Sequence, residues 1–198
     1  MPTIVKLSGT SGSGKSTIAH YLLSRYPTKE VASRASRSGE RTEGYLLSVE
    51  GKQLLLLGNY DNQCGGCDGI QPYSRIIDRL NELTAAHPKA HVLMEGLLIY
   101  PYGSLGEAMD EFKPKYKPIH AYMDTPLELC LERINQRRAA KGKTEPVNPK
   151  NTTQKWNSIQ TRYLTLMAEG HNVAWINHKK PVSSVLELYG ISTKEPRL

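Results

Sequence analysis

The sequence lacks any apolar run close to the length of a membrane-spanning helix. Such a helix needs roughly 20 apolar residues, whereas only 38% of the 198 residues are hydrophobic and they occur in short runs. The three cysteines are an odd number, which does not suggest a disulfide framework. The N-terminus leads directly into the first predicted strand and leaves no room for a signal peptide. These absences favour a soluble, globular protein of the reducing cytoplasm.

Acidic residues are also scarce relative to basic ones. The chain has 26 Lys and Arg against 19 Asp and Glu, a formal net charge of +7. This balance favours a polyanionic partner such as nucleic acid. A nucleotide-binding enzyme collects basic residues as well, so the charge alone leaves both interpretations open. The length and the absence of repeats and low-complexity segments predict a single domain over residues 1–198.

Residues 9–16 (GTSGSGKS) match the phosphate-binding pattern G-x-x-x-x-G-K-[ST]. Residues 4–7 before it predict a short buried strand, and residues 16–25 after it predict a helix. This is the context in which backbone N–H groups approach phosphate oxygens. Lys15 would reach the β- and γ-phosphates of ATP, and the Ser16 hydroxyl would ligate Mg²⁺. The predicted nucleotide-binding residues are Gly9, Thr10, Ser11, Gly12, Ser13, Gly14, Lys15, Ser16 and Thr17.

The rest of the chain alternates between strand-like runs and helical periodicities. Two runs separated by a tight glycine turn, residues 45–49 and 53–57, predict a β-hairpin. Further strands are predicted at residues 30–33, 91–94, 119–123 and 173–176, the first of them as a short parallel strand. Helices are predicted at residues 73–86, 127–139 and 152–168. This alternation predicts an α/β fold with a parallel sheet covered by helices on both faces.

Two more segments carry a resemblance to a known family. Residues 94–96 (MEG) end a predicted strand, and residues 124–126 (DTP) are expected to cap a helix that ends in arginines. With the phosphate loop, they resemble the nucleoside and nucleotide kinase branch of the P-loop fold. The resemblance implies a three-layer P-loop kinase fold with strand order 2-3-1-4-5. It also implies a mobile helical lid, which corresponds to a loop at residues 137–151.

A narrower resemblance lies in residues 58–61 (GNYD) and 64–69 (CGGCDG). These segments look like those of bacteriophage P-loop kinases, some of which phosphorylate 5-hydroxymethyluracil in DNA. The resemblance implies an ATP- and Mg²⁺-dependent kinase of the host cytoplasm whose acceptor is a modified pyrimidine in DNA. A free nucleoside or nucleoside monophosphate is the alternative acceptor. An NTPase switch and a DNA-binding module that only holds phosphate are further alternatives, although an N-K-x-D string is absent.

Three carboxylates are candidates for the chemistry. Glu95 stands at the end of an apolar strand, where a carboxylate can hold Mg²⁺; capping a neighbouring helix is the alternative. Asp61 and Asp68 follow the hairpin, where related kinases place acceptor contacts. Either could act as the base that accepts the hydroxyl proton, and we place Asp61 slightly ahead. Acidic residues flanked by glycine are also common turn formers.

Arginines are the candidates for contacting phosphates. Arg133 and Arg137 lie four residues apart and share a helix face. In the resembled kinases arginines here fold over the transferring phosphate, which implies a catalytic role for Arg137 or Arg138; a solvated basic face is the alternative. Arg34 and Arg37 are candidates for an acceptor phosphate, because guanidinium groups suit bidentate phosphate contacts.

The remaining candidates have competing structural interpretations. Tyr60 and Tyr73 could stack on an acceptor base or pack against the core. Cys64 and Cys67 have the spacing of a metal or redox pair, but a structural zinc site needs four ligands. We therefore interpret them as small residues that let their loop approach a ligand. Residues 177–181 follow the last strand, where the resembled kinases enclose adenine.

Overall fold

The computed structural model describes residues 1–36, 39–61, 65–72, 74–96 and 112–192. Within these ranges the strands are β1 Thr3–Ser8, β2 Thr28–Ser36, β3 Gly39–Val49, β4 Lys52–Leu57, β5 His91–Glu95, β6 Lys117–Met123 and β7 Val173–Ile176. The helices are α1 Lys15–Arg25, α2 Ser74–Ala86, α3 Leu127–Ala139, α4 Pro149–Ala168 and α5 Pro181–Glu187. No helix in the described part of the chain is long and apolar enough to span a bilayer.

All seven strands form one sheet in the order β2-β3-β4-β5-β1-β6-β7. Five of them, β4-β5-β1-β6-β7, are parallel to their neighbours. Numbered along the chain among themselves, these five have the order 2-3-1-4-5, which confirms the predicted sheet. Their carboxyl ends meet at one edge, where open α/β sheets bind ligands. This edge carries the phosphate loop after β1 and Glu95 at the end of β5.

The prediction of a parallel strand at residues 30–33 was wrong. The strand there, β2, pairs antiparallel with β3. Only two residues separate β2 from β3, whereas a parallel crossover requires about a dozen or more. The predicted hairpin of β3 and β4 is confirmed. Its turn residues Glu50 and Gly51 have φ values of 45° and 77°, as the tight primed turns require.

Helices cover both faces of the sheet, as predicted. On one face, Val5 and Leu7 of β1 pack in a cluster with residues of α1 and α5. On the other face, Ile4 packs with residues of α2, and Tyr122 of β6 packs with residues of α4. Because β1 is buried on both faces, its carboxyl end is held rigidly at the centre of the ligand-binding edge.

The predicted lid segment 137–151 overlaps two helices. Helix α3 continues to Ala139 and α4 begins at Pro149, so the connecting loop comprises residues 140–148. The Asn148 side chain caps α4 by accepting a hydrogen bond from the Lys150 N–H at 3.0 Å, which explains why α4 begins three residues before the predicted start. Asn135 accepts a hydrogen bond from the Val147 N–H at 2.8 Å, which ties the loop to α3.

Candidate active site

The phosphate loop is fixed against the start of α3. Gly12 and Gly14 have φ values of 79° and 100°, a backbone region that favours glycine. A Cβ atom on Gly12 would lie 2.4 Å from the Cys130 carbonyl oxygen, so only glycine permits this approach. The Thr125 hydroxyl donates a hydrogen bond to the Ser13 carbonyl at 2.8 Å. The loop therefore has a preorganised shape.

Lys15 reaches back across the loop that precedes it. Its ammonium Nζ donates hydrogen bonds to the carbonyls of Gly9 at 2.7 Å and Thr10 at 3.3 Å. Only 8% of the residue is exposed. Lys15 is also the first residue of α1, and the first N–H groups of a helix lack partners within the helix. A positive side chain and a helix N-terminus thus converge on one position, which suits a phosphate group.

Ser16 and Glu95 form the second part of the site. The Ser16 hydroxyl donates a hydrogen bond to Glu95 Oε1 at 3.0 Å. Glu95 is 2% exposed, and burial raises the pKa of its carboxyl group to about 7. The nearby Asp68 raises this pKa further, while the charge of Lys15 and the Ser16 hydrogen bond lower it. A hydroxyl and a desolvated carboxylate are hard oxygen donors of the kind that Mg²⁺ prefers.

A glycine-rich corner packs directly against Glu95. Asn59 and Gly66 form an antiparallel bridge through backbone hydrogen bonds of 3.1 and 2.7 Å. A Cβ atom on Gly66 would lie 2.5 Å from Glu95 Oε1, and one on Gly65 would lie 2.1 Å from the Asn59 carbonyl oxygen. Small residues are therefore required for this segment to approach the Glu95 carboxylate.

The two candidate bases lie in different surroundings, which favour Asp68 over Asp61 although the sequence placed Asp61 slightly ahead. Asp68 lies in the short 3-10 turn Cys67–Gly69 and lines the same cavity as the phosphate loop. Asp61 is exposed, and its carboxylate accepts a hydrogen bond from the Asn59 amide at 2.7 Å. Asp61 is not among the described residues that line the cavity. Its position therefore favours a turn-stabilising role and leaves Asp68 as the better candidate.

The cysteine of this turn is a core residue. Cys67 is fully buried, and its thiol donates a hydrogen bond to the Leu57 carbonyl at 3.3 Å. Burial raises the pKa of the thiol well above its usual value, and the charge of Glu95 adds to this effect. The thiol is therefore protonated and unreactive at neutral pH. Cys64 lies outside the described residues.

A cavity of about 900 Å³ is lined by the phosphate loop, Glu95 and Asp68. Its volume is that of a site for a nucleotide-sized ligand. The phosphate loop from Ser11 to Thr17 forms its centre. The other lining residues are Gly65, Asp68, Glu95, Met123, Leu129, Arg133, Arg137, His178, Lys179 and Pro181. The cavity thus has carboxylates on one side and arginines on the other.

The arginines of α3 divide into two groups. Arg137 lines the cavity. Arg133 also lines it and donates a hydrogen bond to the Gly12 carbonyl at 3.3 Å. Arg138 instead donates to the Glu145 carbonyl at 3.2 Å and stabilises the loop after α3. The cavity lining therefore supports Arg137 as a candidate for contacting phosphate. It adds Arg133 as a second candidate, in agreement with the helix face that the two residues share.

The predicted acceptor contacts are only partly covered by the described residues. Tyr60 is 6% exposed and packs edge-to-face against His20 in the core, which favours the packing alternative over stacking on an acceptor base. Arg34 is exposed on β2, outside the cavity lining, and donates a hydrogen bond to the Gln71 carbonyl at 2.9 Å. Arg37 and Tyr73 lie outside the described residues.

The segment after β7 also lines the cavity, through His178, Lys179 and Pro181. Asp124 Oδ1 accepts a hydrogen bond from the His178 backbone N–H at 2.6 Å and lies 2.7 Å from His178 Nδ1. The expectation that residues 124–126 cap α3 through a side chain was wrong, because the N-cap position is Pro126. Asp124 instead positions His178, and Thr125 bonds the phosphate loop. These roles need contacts between distant segments, which sequence spacing does not reveal.

Comparisons with known proteins show which proteins this chain is similar to. A family model described as 5-hmdU DNA kinase matches residues 2–167. The 5-hmdU DNA kinase of Pseudomonas phage PaMx11 is 37% identical over 171 residues, covering 84% of this chain and 86% of that protein. The 5-hmdU DNA kinase 1 of Salmonella phage ViI is 25% identical over 167 residues, covering 77% and 66%. A solved gluconokinase from Sinorhizobium meliloti 1021 has a TM-score of 0.46 and 11% identity, covering 96% of this chain and 94% of its own. The chain belongs to the 5-hmdU DNA kinase family.

Proposed function

We propose that this protein transfers the γ-phosphate of ATP to the hydroxymethyl group of 5-hydroxymethyluracil in DNA. One observation carries the proposal: Lys15, the Ser16–Glu95 pair and Asp68 line a single cavity at the ligand-binding edge of the sheet. Family membership supports the identity of the acceptor. Phosphoryl transfer depends mainly on positioning and charge neutralisation, and the cavity contains groups suited to both tasks.

The ATP phosphates would bind at the phosphate loop. The Lys15 ammonium is held over the loop by the Gly9 and Thr10 carbonyls and would exchange these neutral partners for the charged oxygens of a phosphate. Arg133 and Arg137 enter the cavity from α3. Their guanidinium groups would stabilise the negative charge that is spread over the transferring phosphoryl group.

Ser16 and Glu95 are the residues that would hold Mg²⁺. The fit rests on a buried carboxylate within hydrogen-bonding distance of a serine hydroxyl at the end of the phosphate loop. When bound with ATP, Mg²⁺ neutralises charge on the β- and γ-phosphates. Because the carboxyl pKa is raised to about 7, a nearby cation would favour the ionised form of Glu95 and lower that pKa.

Asp68 is the residue that would activate the acceptor. Its carboxylate would accept the proton of the hydroxymethyl group while the hydroxyl oxygen forms a bond to the γ-phosphorus. The bond from that phosphorus to the β–γ bridging oxygen breaks, and ADP leaves. A base inside a duplex cannot reach a recessed site, so the modified nucleotide would be extruded from the stack before transfer.

The test measures transfer of label from γ-labelled ATP to a duplex that contains 5-hydroxymethyluracil. We expect Asp68→Asn to lower kcat by about 10²- to 10⁴-fold, the usual contribution of a general base. Asp61→Asn is the matched control, because it removes an equivalent carboxylate outside the cavity lining. Equal effects of the two substitutions, or full activity of Asp68→Asn, would contradict the assignment of the base.

A further inference from the structure

The antiparallel strands β2 and β3 extend beyond the edge of the sheet that carries the cavity. The last β3–β4 pair is Gly44 with Leu57, near the carboxyl end of the parallel strands. Beyond it, β3 continues to pair with β2 in four residue pairs, from Ser33–Thr42 to Ser36–Gly39. At about 3.4 Å per residue these pairs project about 10 Å. We call residues 33–36 and 39–42 the arm.

The base of the arm is anchored by a buried ion-pair cluster. Glu43 is 3% exposed, and its Oε2 accepts hydrogen bonds from Arg79 NH2 at 3.0 Å and Arg75 Nε at 3.2 Å. Arg79 NH2 also donates to the Ser33 carbonyl at 3.1 Å. Both strands of the arm are therefore joined to α2, so the arm has a fixed direction.

The arm is also connected to the active site. The Asn59 amide donates a hydrogen bond to the Thr42 carbonyl at 2.9 Å, and Asn59 forms the bridge with Gly66 beside Glu95. The arm and the glycine-rich corner thus form one hydrogen-bonded unit. A ligand on the arm would be held at a defined position relative to the acceptor end of the cavity.

Charge is sorted between the two faces of the arm. Arg34 and Arg41 are directly opposite each other and exposed, and opposite residues of a strand pair share a face. Glu40 lies on the other face, because successive residues alternate, and it hydrogen-bonds the Ser33 hydroxyl. Two guanidinium groups on one face create a positive potential that attracts an anion. The arginine face is therefore suited to an anion.

The arginine face contacts the segment that follows Asp68 in the chain. Arg34 NH1 bonds the carbonyl of Gln71, which follows Asp68 by three residues. At 3.8 Å per residue, the Cα atoms of Asp68 and Gln71 are at most about 11 Å apart. A nucleotide chain whose hydroxymethyl group reaches Asp68 would thus carry its neighbouring phosphates past the arm.

We propose that the arginine face of the arm binds the phosphodiester backbone of the acceptor DNA next to the extruded nucleotide. This inference rests on the proposed function, because it takes its ligand from the DNA acceptor. Guanidinium groups bind phosphate oxygens in a bidentate manner, and a two-stranded β-ribbon has dimensions that fit a DNA groove. Among the exposed side chains that the structure describes in the arm, no apolar side chain is larger than that of alanine. A protein partner would therefore find little apolar surface to bury.

The test measures binding of a fluorescent duplex containing 5-hydroxymethyluracil as a function of salt concentration. We expect Arg34→Ala/Arg41→Ala to bind at least about tenfold more weakly than wild type, and the slope of log K against log salt to fall by about two. The double lysine variant should keep the slope, because it keeps both charges. The matched control is Lys89→Ala/Lys117→Ala, which removes two exposed charges near the amino ends of β5 and β6.

Transfer kinetics separate this inference from the proposed function. We expect the double alanine variant to show a raised KM for duplex DNA with unchanged kcat and unchanged KM for ATP. Unchanged duplex affinity and salt slope, or an equal loss in the Lys89/Lys117 control, would overturn the inference. A wild-type protein that binds the duplex through the arm but transfers no phosphate to it would contradict the proposed function and leave the arm as a DNA-binding element.

Discussion

The buried carboxylate of Glu95 leads to a quantitative prediction about stability. Its pKa is raised from 4.5 to about 7 in the folded protein, chiefly by burial. The folded protein therefore binds this proton more tightly than the unfolded chain does. It follows that the free energy of unfolding falls as pH rises through the interval from about 4.5 to about 7, and is unaffected by this group above it. At about 1.4 kcal/mol per pKa unit, the total loss is about 3 kcal/mol.

The substitution Glu95→Gln removes the titration and keeps a side chain of similar shape. We expect the free energy of unfolding of Glu95→Gln, relative to that of the wild type, to increase by about 2 to 3 kcal/mol as the pH rises from 5 to 8. Urea unfolding at several pH values measures this difference directly. Glu187→Gln is the matched control, because it makes the same substitution at an exposed position.

Magnesium provides a second readout on the same pair of proteins. Ser16 and Glu95 are proposed to hold the ion, and a ligand that binds only the folded state stabilises it. Excess Mg²⁺ at pH 8 should therefore raise the unfolding free energy of the wild type more than that of Glu95→Gln. A stability difference that does not change with pH would refute the assignment of a desolvated carboxylate. An equal response to Mg²⁺ would refute its role in binding the ion.

Three further predictions concern the phosphate side of the cavity and its glycine corner. Lys15→Ala should slow transfer to DNA by at least about a hundredfold, measured under single-turnover conditions, because the ammonium stabilises the transferring phosphate; a smaller loss would contradict its role. Arg137→Ala should lower kcat at least about tenfold, whereas Arg138→Ala should change it little, because Arg137 lines the cavity and Arg138 instead bonds the Glu145 carbonyl. Gly66→Ala should destabilise the fold by about 2 to 4 kcal/mol in urea unfolding, and the Gly142→Ala control should cost only about 1 kcal/mol, since its Cβ would meet no atom within 4 Å.

Local sequence patterns were sufficient to predict the centre of the molecule. The phosphate loop and its flanking strand and helix follow from contiguous motifs and apolar runs, whereas the five-strand parallel order was implied by the resemblance to nucleoside and nucleotide kinases. The loop conformation of Gly12 and Gly14 is likewise encoded by glycines at fixed spacing. Such features depend on neighbouring residues, so a single sequence contains the information needed to predict them.

The remaining features depend on a short local connection in one case and on contacts between distant segments in the others. Residues 30–33 have strand propensity, but the short connection to β3 sets their direction. For Tyr60 the sequence left stacking on an acceptor base and packing against the core open, and the contacts of its ring with His20 and Tyr45 favour packing. Asp61 and Asp68 have similar surroundings in sequence, and they are distinguished by the hydrogen bond from Asn59 to Asp61 and by the position of Asp68 in the cavity lining.

The identity of the acceptor is the central claim, and labelled phosphate transfer tests it most directly. Wild-type protein would receive γ-labelled ATP together with 5-hydroxymethyluracil DNA, unmodified DNA, or a panel of free nucleosides and nucleoside monophosphates. We predict label on the modified DNA alone, and transfer that declines steeply with salt, because phosphate contacts release counterions. Label only on a free nucleoside or nucleotide, at a rate insensitive to salt, would contradict the account and identify a kinase of small molecules.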